Sequence, residues 1–373
     1  MKKTAIALFS AFFLMAGVAS AADTVKIGVM GPMTGQWASE GQGMKDVISI
    51  MADDLNAAGG VAGKKIEVVV EDDAGDPRTA SLAAQKLSTK GVVAVIGTYG
   101  SSITEATQNI YDEAGIIQIG TGSTANNLTE KGLKLFFRTA PRNDEQSNVA
   151  AKAITAAGYK NIAILHDNTS FAKTLADESK AIIEKAGVKV VFFDALTPGE
   201  RDYSAILTKI KSVNPDAIFY TGYYPEAGLL LRQKMEMNLK VPVIGSDATN
   251  NPDLIKIAGA PAAEGFSFVS APVPQDLATP EAKDFTAKFS KKYGKAPASI
   301  YAVLAGDAFK AICEAIKATN STDPKKLADF MHTQLKNLKG ISGDISFDAK
   351  GDRVGSVYKV YKVDAKGAFV MQP

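Results

Sequence analysis

Short apolar runs alternate with amphipathic stretches almost from the start of the chain, and that alternation limits the possible folds more than any other feature. "VKIGVM", "KKIEVVVE", "VVAVIG", "IIQI", "NIAILH", "VKVVFF", "AIFYTG" and "VPVIG" read as β-strands. Between them, "MKDVISIMADDLNAAGG", "ASLAAQKLST", "ITEATQNIYDEAG", "FAKTLADESKAIIEKAG", "YSAILTKIKSVN" and "EAGLLLRQKMEMN" read as helices, several closed by Gly or Asn. Strands that are apolar without alternation have no solvent face, so they need helices above and below, as in parallel sheets. The expected class is α/β and doubly wound. The alternation restarts at "NDEQSNVAAKAITAAGYKNIAILHD", which points to a second lobe beginning near Arg142, and the Pro-rich "SAPVPQDLATPEA" from Ser270 reads as another crossing.

The first 21 residues fall outside this pattern. Lys2 and Lys3 precede the apolar run "AIALFSAFFLMAGVA", and Ala19, Ser20 and Ala21 supply small residues for cleavage, so residues 1–21 read as a secretory signal peptide. The apolar run is shorter than the roughly 20 residues a spanning helix needs. With 42 basic and 40 acidic residues in all, two of the basic ones being Lys2 and Lys3, charge gives no argument for nucleic acid or an anionic membrane as partner. Cys313 is the only cysteine, so an exported chain of this kind folds without an internal disulfide.

Two loops carry the functional question. "GTYGSSIT", Gly97 to Thr104, ends one apolar run, and "GTGST", Gly120 to Thr124, ends the next. In a doubly wound sheet, ligands bind beyond the carboxyl ends of the strands, where helix N-termini converge. Ser102 with Glu105 three residues later fits a capping box. Unpaired N–H groups there, helped by Ser101 and Thr124, suit an anion such as a small carboxylate. Gly and Ser after a strand are also ordinary turn residues. In the second lobe, Tyr223 and Tyr224 follow one strand and Asp247 follows the next. A carboxylate with a ring beside it could hold an ammonium, or Asp247 could serve only as a helix cap. Anion sites on one lobe and a cation site on the other describe a zwitterion. The acidic run Glu71, Asp72, Asp73 and Asp76 lacks the ordered spacing of a calcium loop and reads as a solvated turn braced by Pro77.

The chain resembles the periplasmic leucine/isoleucine/valine-type binding proteins that feed ABC transporters. "KIGVMGPMTG", "LNAAGGVAGKKIEVVVEDDAGDP", "VIGTYGSS", "FRTAPRND", "FFDALTPGERDYS" and "GYYPEAGLLLRQ" carry the resemblance. It implies two doubly wound parallel-sheet lobes joined by a three-crossover hinge. Lobe 1 would hold residues 22–142 and 273–355, and lobe 2 residues 143–272 and 356–373. A ligand's carboxylate would fall to Ser101, Gly122, Ser123 and Thr124, and its ammonium to Tyr223 and Asp247. Its side chain would fall to Trp37 or Glu40, Tyr99, Phe171 and Tyr301, with Gly100 beside them. The implied ligand is a free α-amino acid, branched-chain or otherwise apolar, bound by a periplasmic monomer without metal or cofactor and delivered to a membrane permease. Relatives with a disulfide place its cysteines where this chain has Gly75 and Gly100, and the usual glutamate at the ammonium site is here the shorter Asp247.

The chain reads as no enzyme, and the readings that remain open beside the amino-acid carrier are a binding protein for a different small solute and a ligand-sensing subunit. A secreted serine hydrolase would use Ser101 with His166 and Asp167, although no G-x-S-x-G elbow is present. A ligand-sensing subunit of a signalling receptor would share the same fold and pocket.

Overall fold

The computed structural model describes residues 24–355 and 358–373, so the expected leader lies outside the described residues. Strands β1 (Thr24–Gly31), β2 (Lys65–Asp72), β3 (Val92–Ile96), β4 (Ile117–Gly120) and β5 (Phe136–Arg138) form one sheet in the order β2-β1-β3-β4-β5. Every pairing in it is parallel. A second sheet contains β6 (Asn161–His166), β7 (Lys189–Ala195), β8 (Ala217–Tyr220), β9 (Val243–Gly245) and β10 (Ser267–Ser270), again parallel. β11 (Leu338–Lys339) and β12 (Asp344–Ile345) make a small separate ribbon. β13 (Lys359–Val363) and β14 (Phe369–Met371) return to the second sheet, whose order is β14-β13-β10-β9-β8-β6-β7.

This last hairpin runs antiparallel to β10, an addition to the parallel pattern expected from sequence. Its position explains the difference. β13 sits next to the sheet's edge strand, with Tyr361 and Val363 buried on one face and Lys362 exposed between them on the other, as an antiparallel strand near an edge can.

Side chains on successive strand residues point to opposite faces, and both faces are covered. On one side of the first sheet, Ile27, Ile96 and Ile119 pack against Met44 and Ile48 of helix Ala38–Ala57 and Ala308 and Ile312 of helix Ile300–Thr319. On the other, Met30 and Val95 meet Ala84 and Leu87 of helix Pro77–Ser88 and Ile103 and Tyr111 of helix Ser101–Glu113. In the second sheet, Ile162 and Ile164 face helices Asn143–Ala156 and Ser170–Lys185, whereas Ala163 and Leu165 face helices Ser204–Ser212 and Tyr224–Glu236. The chain thus leaves the first sheet after β5, builds the second, returns with helices Pro280–Tyr293 and Ile300–Thr319, and crosses once more to reach β13.

A buried ion network ties the first and last crossings together. Arg138, fully buried at the end of β5, donates through Nε to Asp352 Oδ1, through Nη1 to the Ala125 carbonyl at 2.8 Å and through Nη2 to Thr129 Oγ1 at 2.8 Å. Arg142 Nη1 and Thr129 Oγ1 each donate to Asp352 Oδ2 at 2.9 Å. Burial alone would raise the Asp352 carboxyl, but the two guanidiniums outweigh it and hold the group below the usual carboxylate range.

Removing one partner from such a network leaves buried charge uncompensated. Asp352→Ala is expected to lower the unfolding free energy by roughly 3–5 kcal/mol, read from urea denaturation at neutral pH. Because the folded carboxyl's pKa is depressed, its contribution is present above the ordinary carboxylate value of about 3.9 and fades as pH falls toward the lower folded value. A loss below about 1 kcal/mol, the range of exposed pairs, would show that the network does not brace the crossings.

Candidate functional site

Parallel pairing brings the carboxyl ends of neighbouring strands out together. Ile96 of β3 is in register with Ile119 of β4, and Tyr220 of β8 pairs with both Leu165 of β6 and Gly245 of β9. The loops after β3 and β4 meet those after β6, β8 and β9. Hydrogen bonds close the seam: Ser170 N–H donates to Ser102 Oγ at 2.9 Å, the Tyr224 hydroxyl to the Gln36 carbonyl at 2.7 Å, Asn251 Nδ2 to Glu40 Oε1 at 2.6 Å, and Asn126 Nδ2 to Glu178 Oε1 at 2.7 Å.

Five aromatic residues named from the sequence meet at this seam. Tyr223, which ends the loop after β8, lies against Trp37 with ring centroids 4.2 Å apart. Tyr99 sits 5.5 Å from Trp37, 5.7 Å from Tyr223 and 5.0 Å from Tyr301, all edge-on. Phe171 adds an edge-on contact to Tyr223 at 5.3 Å. Edge-to-face and tilted pairs at these separations are the attractive geometries.

Two glycines make room for the indole. A Cβ at Gly75, where φ is +68°, would come within 2.8 Å of the Trp37 ring, and one at Gly100 would sit 3.4 Å from both that ring and the Tyr223 hydroxyl. Gly75 and Gly100 thus form walls around Trp37. Gly122 is constrained in the same manner, since a Cβ there would lie 2.7 Å from the Tyr99 ring and carbonyl.

Polar groups face the same region. Helix Ser101–Glu113 begins after Gly100 with no side chain capping its first turn. The capping box expected from Ser102 and Glu105 does not form, because Ser102 lies inside the first turn and its hydroxyl bridges to Ser170. Ser101 Oγ accepts the backbone N–H groups of Thr124 at 3.1 Å and Ala125 at 3.2 Å, which leaves its own proton to donate. Thr124 Oγ1 and the Tyr99 hydroxyl are buried without a hydrogen-bond partner. The Ser123 hydroxyl is engaged internally, accepting from Thr104 Oγ1 at 2.8 Å, so only its main chain is free to contribute.

Asp247 opens a short 3-10 turn after β9 and is 3% exposed. It caps no helix. The Tyr358 hydroxyl donates to Oδ2 at 3.3 Å, while Oδ1 is buried without a partner. Burial pushes its carboxyl up to about 6, against the downward pull of hydrogen bonding from Gln146, Tyr301 and Tyr358. Glu40, the alternative to Trp37, is also buried, with its carboxyl raised to about 7 by desolvation despite bonds to Ser299 and Asn251.

Sequence reasoning missed Gln146 and Tyr358, which frame Asp247 from helix Asn143–Ala156 and from the chain before β13. Neither sits in a motif, and Tyr358 joins the site only because the last crossing returns the chain here. The acidic run is less uniform than a solvated turn, for Asp73 is fully buried and accepts the Gly75 N–H at 2.8 Å. Among the described residues, no group of three or more His, Cys, Asp and Glu could hold a metal ion, and no helix is long and apolar enough to cross a membrane. His166 Nδ1 accepts the Asn168 N–H at 3.1 Å and its ring packs on Phe193, so its contacts run away from Ser101.

A cavity of about 800 Å³ lies elsewhere, among helices Ala38–Ala57, Pro280–Tyr293 and Ile300–Thr319. Apolar side chains such as Met51, Leu55, Phe285 and Phe309 line it together with charged ones, and its Lys288 is paired with Asp54 and Asp284. It lacks the unpartnered buried oxygens that mark the seam.

Two α/β lobes that enclose aromatic rings and unpaired polar atoms at their strand ends define a two-lobed solute-binding protein. A family model described as periplasmic binding protein matches residues 24–368, and the chain belongs to that family. It is 34% identical over 360 residues to the leucine-, isoleucine-, valine-, threonine- and alanine-binding protein of Pseudomonas aeruginosa, covering 95% of this chain and 94% of that one. The crystal structure of a leucine-binding protein from Thermotoga maritima superposes with a TM-score of 0.87 at 29% identity, over 94% of this chain and 98% of that one. A branched-chain amino acid transporter substrate-binding protein from Streptococcus pneumoniae, in complex with isoleucine, gives 0.86 at 27% identity over 94% and 100% of the two chains.

Trp37 is the only tryptophan, so its emission reports on this seam alone. Gly75→Ala forces a Cβ into the indole at a left-handed backbone angle that costs roughly 1–2 kcal/mol without glycine. The substitution is expected to shift the emission maximum of the ligand-free protein, whereas an unchanged spectrum would show that the indole is not held between Gly75 and Gly100.

Proposed function

We propose that the protein captures a free α-amino acid between its lobes in the periplasm and delivers it to an ABC permease. The observation that carries this reading is Asp247, a buried carboxylate on the second lobe with one oxygen unpaired, in a seam that also holds the proton of Ser101 and the unpartnered Thr124 hydroxyl on the first. One zwitterion answers both. Its carboxylate would take the Ser101 and Thr124 hydroxyls and main-chain N–H groups at Gly122, Ser123 and Thr124. Its ammonium would take Asp247, shielded by Tyr223. Its side chain would meet Trp37, Tyr99, Phe171 and Tyr301, and an apolar chain of leucine size is in keeping with the names of the relatives. The sheet membership supports a first lobe of residues 22–142 and 273–355 and a second of 143–272 and 356–373, working as a monomer.

Calorimetry with the common amino acids tests the ligand class, and binding of only uncharged or dianionic solutes would overturn it. Asp247→Asn is expected to weaken binding by roughly 2–5 kcal/mol, the usual loss on truncating one side of a desolvated charge pair, or about 30-fold to a few thousand-fold. Wild-type affinity in that variant would remove Asp247 from the site.

The same residue sets a pH dependence. An ammonium needs the ionised carboxylate, so the bound state holds fewer protons at Asp247 than the free state. Affinity is expected to be flat above about pH 7 and to fall toward tenfold per unit once pH drops through the free-state value of about 6. Dissociation constants measured from pH 8 to 5 check this, and the slope should vanish in Asp247→Asn. A slope that persists in the variant would assign it to another group.

A further inference from the structure

A second cavity of about 210 Å³ lies in the seam beside the aromatic cluster. Trp37 and Gly75 line it from one lobe, and Asp167, Thr169, Tyr223 and Glu226 from the other. Trp37 and Tyr223 therefore border both the cavity and the proposed amino-acid site.

Two acids face this space without a base. Asp167 is 2% exposed and Glu226 4%, and no lysine or arginine is among the lining residues. Asp167 Oδ1 accepts the Thr169 N–H at 3.0 Å and the Thr169 hydroxyl at 2.7 Å, but Oδ2 is buried with no partner. Glu226 Oε1 accepts the Gly199 N–H at 3.2 Å, and main-chain N–H groups rather than any cation are its partners. Burial raises both carboxyls, and at Glu226 the neighbouring Asp167 charge adds to the effect. Such a pair is satisfied by a cation placed between them. The walls select which kind. Two acids fall short of the three or more ligands a metal cluster would need, and beside Gln36, Ala74, Gly75, Thr169 and Pro198 the walls include the rings of Trp37 and Tyr223, whose faces attract organic ammonium groups. At about 30 Å³ per water-sized group, the space holds a short aminoalkyl fragment.

We infer that this cavity is a subsite for the cationic end of a ligand side chain, so that the ligand range extends to α-amino acids whose aliphatic stem ends in an ammonium. The inference rests on the α-amino acid reading above. The stem would pass the rings of Trp37 and Tyr223, and the terminal ammonium would lie between Asp167 and Glu226.

The test compares norleucine with ornithine, which has the same number of side-chain heavy atoms but ends in an ammonium, and with the longer lysine. By calorimetry, wild-type protein is expected to bind ornithine or lysine at least about tenfold more tightly than norleucine, a difference of about 1.4 kcal/mol. The double variant Asp167→Asn, Glu226→Gln should lose that margin while holding norleucine as before, because an asparagine oxygen can still accept both Thr169 bonds. Equal or tighter binding of norleucine by the wild type overturns the inference, as does a margin that survives in the double variant. Loss of norleucine binding together with ornithine binding in the double variant would assign the two acids a structural role and overturn it too. If leucine, norleucine, ornithine and lysine all fail to bind the wild type, the α-amino acid reading itself falls and carries this inference with it.

Discussion

A buried oxygen without a hydrogen-bond partner is the constraint around which the molecule is arranged. Asp247 Oδ1, Thr124 Oγ1 and the Tyr99 hydroxyl are each removed from water at the seam between the sheets, and none finds a partner within the protein. Leaving such a group unpaired costs about 1–3 kcal/mol, more when it is charged. Bringing the lobes together therefore works against the protein unless something supplies the missing partners. Only a ligand that pairs these groups in the joined arrangement, and cannot do so when the lobes are apart, has the differential affinity needed to drive closure. On the proposed reading, occupancy and closure are one equilibrium.

The rest of the fold allows that equilibrium to be local. Each sheet has its own core, with helices on both faces, so neither lobe depends on the other for most of its buried apolar surface. What joins them is narrower: the crossings, which the network of Arg138, Arg142 and Asp352 braces from the first lobe, and a few hydrogen bonds at the rim. The rim bonds differ in kind from the network. Asn251 to Glu40 and Asn126 to Glu178 each pair an amide with a carboxyl that burial has raised to about 7, so these contacts are poised near neutrality, whereas the Arg138 and Asp352 pair stays charged throughout that range. Rigid crossings and weak rims are what a hinged cleft requires.

The fold was legible because its signal is periodic. Ile27, Ile96, Ile119, Ile162 and Ile164 lie in runs apolar on both faces, and such runs have few alternatives to a covered parallel sheet. What escaped were short or edge elements. β5 has three residues, and the hairpin of β13 and β14 alternates like any exposed strand, so neither stands out before its neighbours are known. The site was partly legible for a similar reason. Tyr99, Ser101, Thr124, Tyr223 and Asp247 follow strands directly, where topology puts ligands. Ser102 misled, because a capping box is a local pattern and the bond its hydroxyl makes to Ser170 is a long-range one. Gln146 and Tyr358 owe their importance to their bonds with Asp247, Asp167 to its unpartnered oxygen and Glu226 to the cavity it lines, and only the assembled seam defines these.

Trp37 shows how one such substitution propagates. A pair of side chains at positions 75 and 100 would occupy the space that the indole fills, so the ring and a cross-link there exclude each other sterically. With glycine at both positions, the indole can reach Tyr223 on the opposite lobe at 4.2 Å. The first lobe thereby makes an aromatic contact across the seam. That contact exists only when the lobes meet, so its stabilisation, about 0.5–1.5 kcal/mol beyond area burial for an aromatic pair, falls entirely on the closed arrangement. The same ring then forms a wall of the cavity holding Asp167 and Glu226. On the proposed reading, the side-chain end of the site is bounded by residues of both lobes, so its selectivity is set by both together.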